Sequence, residues 1–241
     1  MASEAIGQVY LIPSFLDENN LDTIPPYIIL AIKECQVFFV ENERSARRYL
    51  KQLWKEMVID DYEWYTIHKA EEDLKLQFKK HLQRGATIGI ISEAGCPGVA
   101  DPGQILVDVA HKTGAVVKPL SGPSSILLAL MASGMNGQQF QFNGYLPIDN
   151  GERVQAINEM ELESFRKKST QIFIETPYRN NQVVETLLKV CKPNTLLCIA
   201  ADLTGTNESI KTRSIEEWRK NIPDIHKKPA IFLLYATGFI V

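Results

Sequence analysis

The segment Thr87-Ile-Gly-Ile-Ile-Ser-Glu-Ala-Gly-Cys-Pro-Gly-Val-Ala-Asp-Pro-Gly103 begins as a buried-strand pattern and empties into a loop carrying Gly95, Pro97, Gly98, Pro102 and Gly103. A helical pattern follows it. Glycines at the carboxyl end of a strand let the backbone approach a ligand closely, and open α/β sheets bind ligands outside those strand ends. The spacing gives neither G-x-x-x-x-G-K-[ST] nor G-x-G-x-x-G, which argues against a P-loop and against a dinucleotide fingerprint. On the residues alone, a ligand loop and an ordinary turn both stay open.

Working outward, short apolar runs recur, each followed by punctuation and a segment of helical period. Strands are expected at Val9–Ile12, Val37–Val40, Thr87–Ile91, Val116–Leu120, Gln171–Ile174, Leu196–Ala200 and Ile231–Tyr235. Helices are expected at Pro26–Cys35, Ser45–Lys55, Glu71–Gln83, Gln104–Lys112, Ser124–Ala132, Arg153–Phe165, Asn181–Val190 and Ile215–Lys220. Alternation of this kind is the signature of an α/β fold. It weakens after about Leu120, and 138–150 is polar with Gly144, Pro147 and Gly151 marking turns nearby. A hinge near Leu120 would give two α/β domains, 1–119 and 120–241, with a ligand cleft between them.

Composition narrows the class. The 241 residues carry 26 Lys+Arg against 29 Asp+Glu, a formal net charge of -3, with 45% hydrophobic and 23% charged residues. These are globular proportions, and the charge argues against a generally basic nucleic-acid binder while leaving room for a local patch. Four cysteines, Cys35, Cys96, Cys191 and Cys198, form no C-x-x-C pair, and His68, His81, His111 and His226 are scattered, so no disulfide framework and no metal site is expected. The first residues lack a basic region followed by a long apolar one, and no apolar run approaches a membrane span. A soluble, cytoplasmic protein is the expectation.

A second loop, Leu120-Ser-Gly-Pro-Ser-Ser125, also joins a strand to a helix and offers hydroxyls and free N–H groups at the helix start. Capping alone would explain one such loop. Two of them, a strand and a helix apart, converge on one end of a parallel sheet and favour a ligand.

Four stretches in order, SEAGCPGVADPG, PLSGPSSILLALMASGM, FQFNGYLP and IFIETPYR, resemble the motifs of the tetrapyrrole (corrin/porphyrin) methylase superfamily, and within it most resemble the branch of ribosomal RNA small-subunit methyltransferase I. The resemblance runs from about Gly7 to Tyr235. It implies a two-domain α/β methyltransferase, usually a homodimer, that binds S-adenosylmethionine (SAM) in the cleft. Carried over by position, the cofactor site takes in Pro13, Glu93, Ala94, Gly95, Cys96, Val99, Ser124, Ser125, Met135, Ile174, Glu175 and Leu203. The branch's early acidic-basic motif is matched by Glu41, Arg44 and Arg47 in ENERSARRYL, and Arg179 in ETPYRNN fits the pattern too, implying substrate binding. The same residues also read as a solvated helix face and a structural ion pair.

Two stretches depart from the pattern. After the first strand the chain reads PSFLDENNLDTIPP, without the family's glycine, and Ala201-Asp-Leu-Thr-Gly205 keeps Leu203 and Thr204 but lacks two basic positions. Fewer basic residues would weaken phosphate contacts.

Methyl transfer from a sulfonium is an in-line displacement, in which proximity can be worth roughly 7–11 kcal/mol. A hydroxyl acceptor must also lose a proton. Asp101, Glu41, Glu93 and Asp202 are the candidate carboxylates, with Asp101 ranked first as catalytic because it lies in the cofactor loop, although an Asp before Pro102 also builds turns. Cys96 has no basic neighbour and reads as packing. Ile126, Leu127, Leu130 and Met131 read as helix core. The leading function is thus a SAM-dependent methyltransferase acting on a cytidine ribose 2′-hydroxyl of rRNA in the small ribosomal subunit. A corrin, porphyrin or other small-molecule acceptor, a catalytically silent interaction module, and a nucleotide or phosphate enzyme are the alternatives.

Overall fold

The computed structural model describes residues 6–67 and 72–236. The chain divides into two compact units, Met1–Ser124 and Ser125–Val241. In the first, strands β1 (Gln8–Ile12), β2 (Val37–Val40), β3 (Glu63–Thr66), β4 (Thr87–Ile91) and β5 (Val116–Pro119) alternate with helices α1 (Ile28–Glu34), α2 (Glu43–Leu53), α3 (Glu72–Gln83) and α4 (Gln104–Thr113). The sheet order is β3-β2-β4-β1-β5, and every pairing is parallel.

Both faces of this sheet are covered. Tyr10, Ile12, Phe38 and Val40 point to a core shared with α1 and α2. Val9, Val37, Phe39, Ile88 and Ile90 point the other way, into a core with α3 and α4. The alternation of side chains along a strand feeds both cores, which is why the central strands read as unbroken apolar runs. Helix α2 starts at Asn42, whose side chain accepts the Ser45 N–H, and α4 ends at Gly114 in the left-handed region. Because all five strands run the same way, their carboxyl ends lie along one edge.

The second unit comprises α5 (Ser125–Ser133), β6 (Phe140–Tyr145), α6 (Asn150–Lys167), β7 (Thr170–Ile174), α7 (Asn180–Val190), β8 (Leu196–Ala201), β9 (Ser209–Ser214), α8 (Ile215–Lys220) and β10 (Ala230–Tyr235). Its sheet, β6-β7-β10-β8-β9, is mixed: β6 and β7 are parallel, while β10 runs antiparallel to both β7 and β8, and β9 antiparallel to β8. The carboxyl ends of β6, β7 and β8 therefore share one edge. Phe173, Leu197, Ile199, Phe232 and Leu234 line one face under α6, α7 and α8. Ser214 and Glu217 form a reciprocal capping box at the start of α8.

Three strands were not expected from the sequence. β3, β6 and β9 each lie at a sheet edge and are half-exposed, so their residues lack the apolar signal of the central strands. β6 also carries a register shift between Phe142 and Tyr145, next to Gly144, which reads as a turn in the sequence. The expectation that Ile126, Leu127, Leu130 and Met131 form helix core is corrected. Leu130 is buried, but Leu127 is 52% and Met131 79% exposed within the described residues. α5 is apolar nearly all round, and its buried residues are Ala129, Leu130 and Ser133. His68 and Glu71 lie outside the described residues.

Candidate functional site

The loops after β4, β1 and β5, three adjacent strands, interlock through backbone. Ser14 N–H donates to the Gly95 carbonyl at 2.8 Å, and Gly95 N–H returns to Phe15 at 3.4 Å. Gly95 has φ +72°, which glycine adopts without penalty. The third loop closes from the other side. A Cβ at Gly122 would lie 2.2 Å from the Pro13 Cβ, so only glycine lets these two segments touch. Cys96 Sγ reaches the Pro123 carbonyl at 3.5 Å. Burial, then the Asp101 carboxylate, pushes its thiol above the ordinary value, which suits packing and not nucleophilic attack.

Pro13, Gly95 and Cys96 are thus brought together, with Ser124 at the end of the third loop. Glu93, Ala94 and Val99 are exposed on the loop after β4. Asp101 builds that loop: its Oδ1 accepts Gly103 N–H at 2.6 Å and Gly98 N–H at 3.0 Å, and its Oδ2 accepts Gly98 N–H at 2.9 Å. Burial raises its pKa, against the hydrogen bonds from Gly103, Gly98 and Ser92, which lower it.

Glu41 sits at the end of β2 and accepts the Glu93 N–H at 2.9 Å, while Glu93 Oε1 accepts the Ser45 hydroxyl at 3.1 Å. This ties the start of α2 to the loop after β4. Arg47 pairs with Glu43 at 2.7 Å and lies over the Trp64 ring, and Arg48 pairs with Glu18. Arg44 is exposed. Arg47, Arg48, Lys51 and Lys55 line a groove of about 530 Å³ along α2.

Several contacts were invisible in the sequence. Tyr49, inside α2, donates its buried hydroxyl to the Pro13 carbonyl at 2.6 Å, and burial drives its pKa upward. Tyr27 accepts the Ser121 N–H at 2.7 Å. A tyrosine at core period gives no sign that its hydroxyl holds a loop. The glycine-free loop after β1 is anchored by apolar residues instead: Ile24 is buried, and Phe15 meets Tyr49 edge-on at 5.3 Å.

In the second unit, Ile174 ends β7 and Glu175 follows, its side chain fully buried and ion-paired with Arg179. Arg179 Nε also donates to Glu175 Oε1 at 2.9 Å, so Arg179 is held as a structural partner. Glu175 Oε2 is buried without a hydrogen-bond partner. Leu203 is buried just past β8, between Asp202 and Thr204, both at positive φ. Asp202 N–H donates to Pro229 and Lys227 N–H to Pro177, linking the two strand-end loops. Met135 follows α5, with its N–H on the Ser133 hydroxyl, and Ser125 opens that helix. Among the described residues no three His, Cys, Asp or Glu side chains are grouped to hold a metal ion, and no helix is long and apolar enough to cross a membrane.

Comparison with known proteins converges on one family. The family model for tetrapyrrole (corrin/porphyrin) methylases matches residues 20–218. A ribosomal RNA small subunit methyltransferase I of Halalkalibacterium halodurans is 30% identical over 211 residues, covering 88% of this chain and 69% of its own length. One from Vibrio cholerae is 32% identical over 233 residues, covering 96% and 77%. The uroporphyrin-III C-methyl transferase of Thermus thermophilus, solved in complex with S-adenyl homocysteine, shares the fold at a TM-score of 0.58 and 16% identity, over 95% of this chain and 97% of that one. The chain belongs to the tetrapyrrole (corrin/porphyrin) methylase family, in its ribosomal RNA small-subunit methyltransferase I branch, and is a SAM-dependent methyltransferase.

Proposed function

We propose that the protein transfers the methyl group of SAM to a ribose 2′-hydroxyl of a cytidine in small-subunit ribosomal RNA. The observation that carries this reading is the extent of likeness to enzymes named for that RNA, 88% and 96% of the chain in two of them. The residues present fit the cofactor. Glu175 Oε2 is a buried acceptor in need of a donor, such as an amine or a ribose hydroxyl. Glu93 and Ala94 are exposed residues beside the interlocked loops.

SAM, when bound, supplies a methyl group on a positively charged sulfur. The protein's share is to hold the acceptor oxygen in line with that carbon and to remove the hydroxyl proton. The loops at Pro13, Gly95 and Gly122 provide a rigid seat, because they meet through backbone bonds between Ser14, Gly95 and Phe15 and through close packing of Gly122 on the Pro13 ring, which leaves little to reorganise. Asp101 braces the loop through Gly98 and Gly103, and Glu93 and Glu41 are the carboxylates next to it. The face of α2 carrying Arg44 and Arg47 binds phosphate, and the neighbouring Glu43 and Glu18 temper its charge.

The test is methyl transfer from radiolabelled SAM to undermethylated small subunits, with S-adenosylhomocysteine as inhibitor. Label on a cytidine 2′-oxygen is expected, and label on a tetrapyrrole carbon only would move the protein to the alternative acceptor. Arg44→Glu with Arg47→Glu should weaken RNA binding and flatten its salt dependence, by a slope of about 0.7–0.9 per lost phosphate contact. Unchanged RNA affinity would remove α2 from the interface.

A further inference from the structure

On the second unit, a pocket of about 350 Å³ opens between β8, β9 and the turn after α8, bordering the loop that follows β8. Its floor is apolar: Ile199 and Ala201 from β8 and Ile225 from the turn. Its wall is not. Ser209, Lys211 and Arg213 alternate along β9 and line the same pocket, their side chains about 7 Å apart along the strand. Arg213 lies over the Trp218 ring, 5.0 Å from its centroid, and Trp218 is itself fixed by an N–H bond to the Leu197 carbonyl.

A guanidinium resting on an indole is oriented but keeps its N–H edge free. Among the described residues, neither Lys211 nor Arg213 is in an ion pair, although the Glu217 carboxylate of the capping box lies within Arg213's field. Lys228, also on the rim, is 3.6 Å from Asp202. The one carboxylate lining the pocket, Asp224, accepts the Asn181 amide and the His226 N–H, both on Oδ1, and its charge is opposed by Lys228. Two cations outside any ion pair, on adjacent same-face positions, one of them a pre-oriented fork, match a phosphoryl group. Exposed Ile222, beside Pro223, supplies an apolar rim for whatever the phosphate is attached to.

We propose that this pocket is a second binding site, taking a phosphoryl group of a ribonucleotide on Lys211 and Arg213 with the nucleoside against Ile222 and Pro223. That the phosphate belongs to a ribonucleotide rests on the proposed RNA acceptor; the pairing of Lys211 and Arg213 for a phosphoryl group does not. Phosphate of this kind comes from a free nucleotide or from an RNA strand, and the experiment separates them.

The chain has three tryptophans, so the Trp218 indole N–H gives a resolvable signal in a nitrogen-proton spectrum of the full protein. Cytidine 5′-monophosphate should shift it saturably, and uncharged cytidine should not. Lys211→Gln and Arg213→Gln should each weaken that binding at least fivefold while leaving SAM affinity unchanged, which also certifies folding. If a short cytidine-rich oligoribonucleotide loses affinity by the same factor, the source is an RNA strand. If only the mononucleotide does, it is a free nucleotide. No saturable shift with cytidine 5′-monophosphate, or wild-type affinity in both variants, overturns the site. Methyl transfer to small subunits is read separately, so failure of the pocket and failure of the acceptor assignment give different results.

Discussion

At the carboxyl ends of β4, β1 and β5 the chain is held by backbone groups and by the absence of a side chain at Gly122, whereas at the end of β7 a backbone bond from Lys227 N–H to Pro177 is joined by a side-chain lock, the ion pair of Arg179 with buried Glu175. A backbone lock tolerates changes of side chain except where a Cβ has no room. An ion-pair lock depends wholly on two side chains, and each partner makes the other affordable in the interior. The two sheets therefore differ in which substitutions they can survive.

The largest effect is expected where a charge is stranded. Arg179→Ala leaves the Glu175 carboxylate buried without its cation, and breaking such a pair costs about 3 kcal/mol or more. Adding Glu175→Gln should recover most of that, since a neutral amide is far less costly to bury, and urea unfolding measures both. A loss under about 1 kcal/mol for Arg179→Ala, the range of an exposed pair, would erase the contrast between the two sheets.

Next comes the backbone lock. Gly122→Ala sets a methyl group against the rigid Pro13 ring at 2.2 Å, and overpacking of this kind costs about 1–3 kcal/mol. Because the strain is relieved by parting the β1 and β5 loops, SAM affinity should fall at least tenfold in calorimetry. Gly137→Ala, at a position with nothing within 4 Å, is the control and should leave binding intact. Equal behaviour of the two variants would mean the loops are not interlocked in solution.

The same contrast explains what the sequence discloses. In the parallel unit, β1, β2 and β4 are buried on both faces, so TIGII and VFFV stand out as apolar runs, and the glycine loop follows the strand it serves. Edge strands are different. SIKTRS in β9 and FQFNGY in β6 pair along one side only and face solvent, so burial imposes no pattern on them, and Lys211 and Arg213 read as loop residues until β9 pairs with β8. Within the site, Gly95, Cys96 and Pro13 were legible from motif resemblance and loop position. The Tyr49 bond to Pro13 and the Ser45 bond to Glu93 were not, because partners 36 and 48 residues apart leave no local trace. For Arg179 the sequence left substrate binding and a structural ion pair both open, and the buried carboxylate of Glu175, four residues earlier, supports the second.

The smallest effect, and the sharpest division of roles, belongs to Asp101. As a brace it contributes three hydrogen bonds from loop N–H groups; as a base it would take the acceptor's proton. Asp101→Asn keeps one acceptor oxygen but turns an NH₂ group toward Gly98 N–H, so a brace should lose about 1 kcal/mol of loop order, seen as a three- to tenfold weaker SAM Kd with kcat at saturating SAM nearly unchanged. A hundredfold fall in kcat at constant Kd would make it the proton acceptor. Stability gives an independent reading. Burial raises the folded-state pKa of Asp101 above the ordinary 3.8, so its contribution is fully present below that value and is lost as pH rises through the raised one. Asparagine does not titrate, so the stability of the native protein relative to Asp101→Asn should decline across that window, and a flat difference would mean the carboxylate is better solvated than its place in the loop implies.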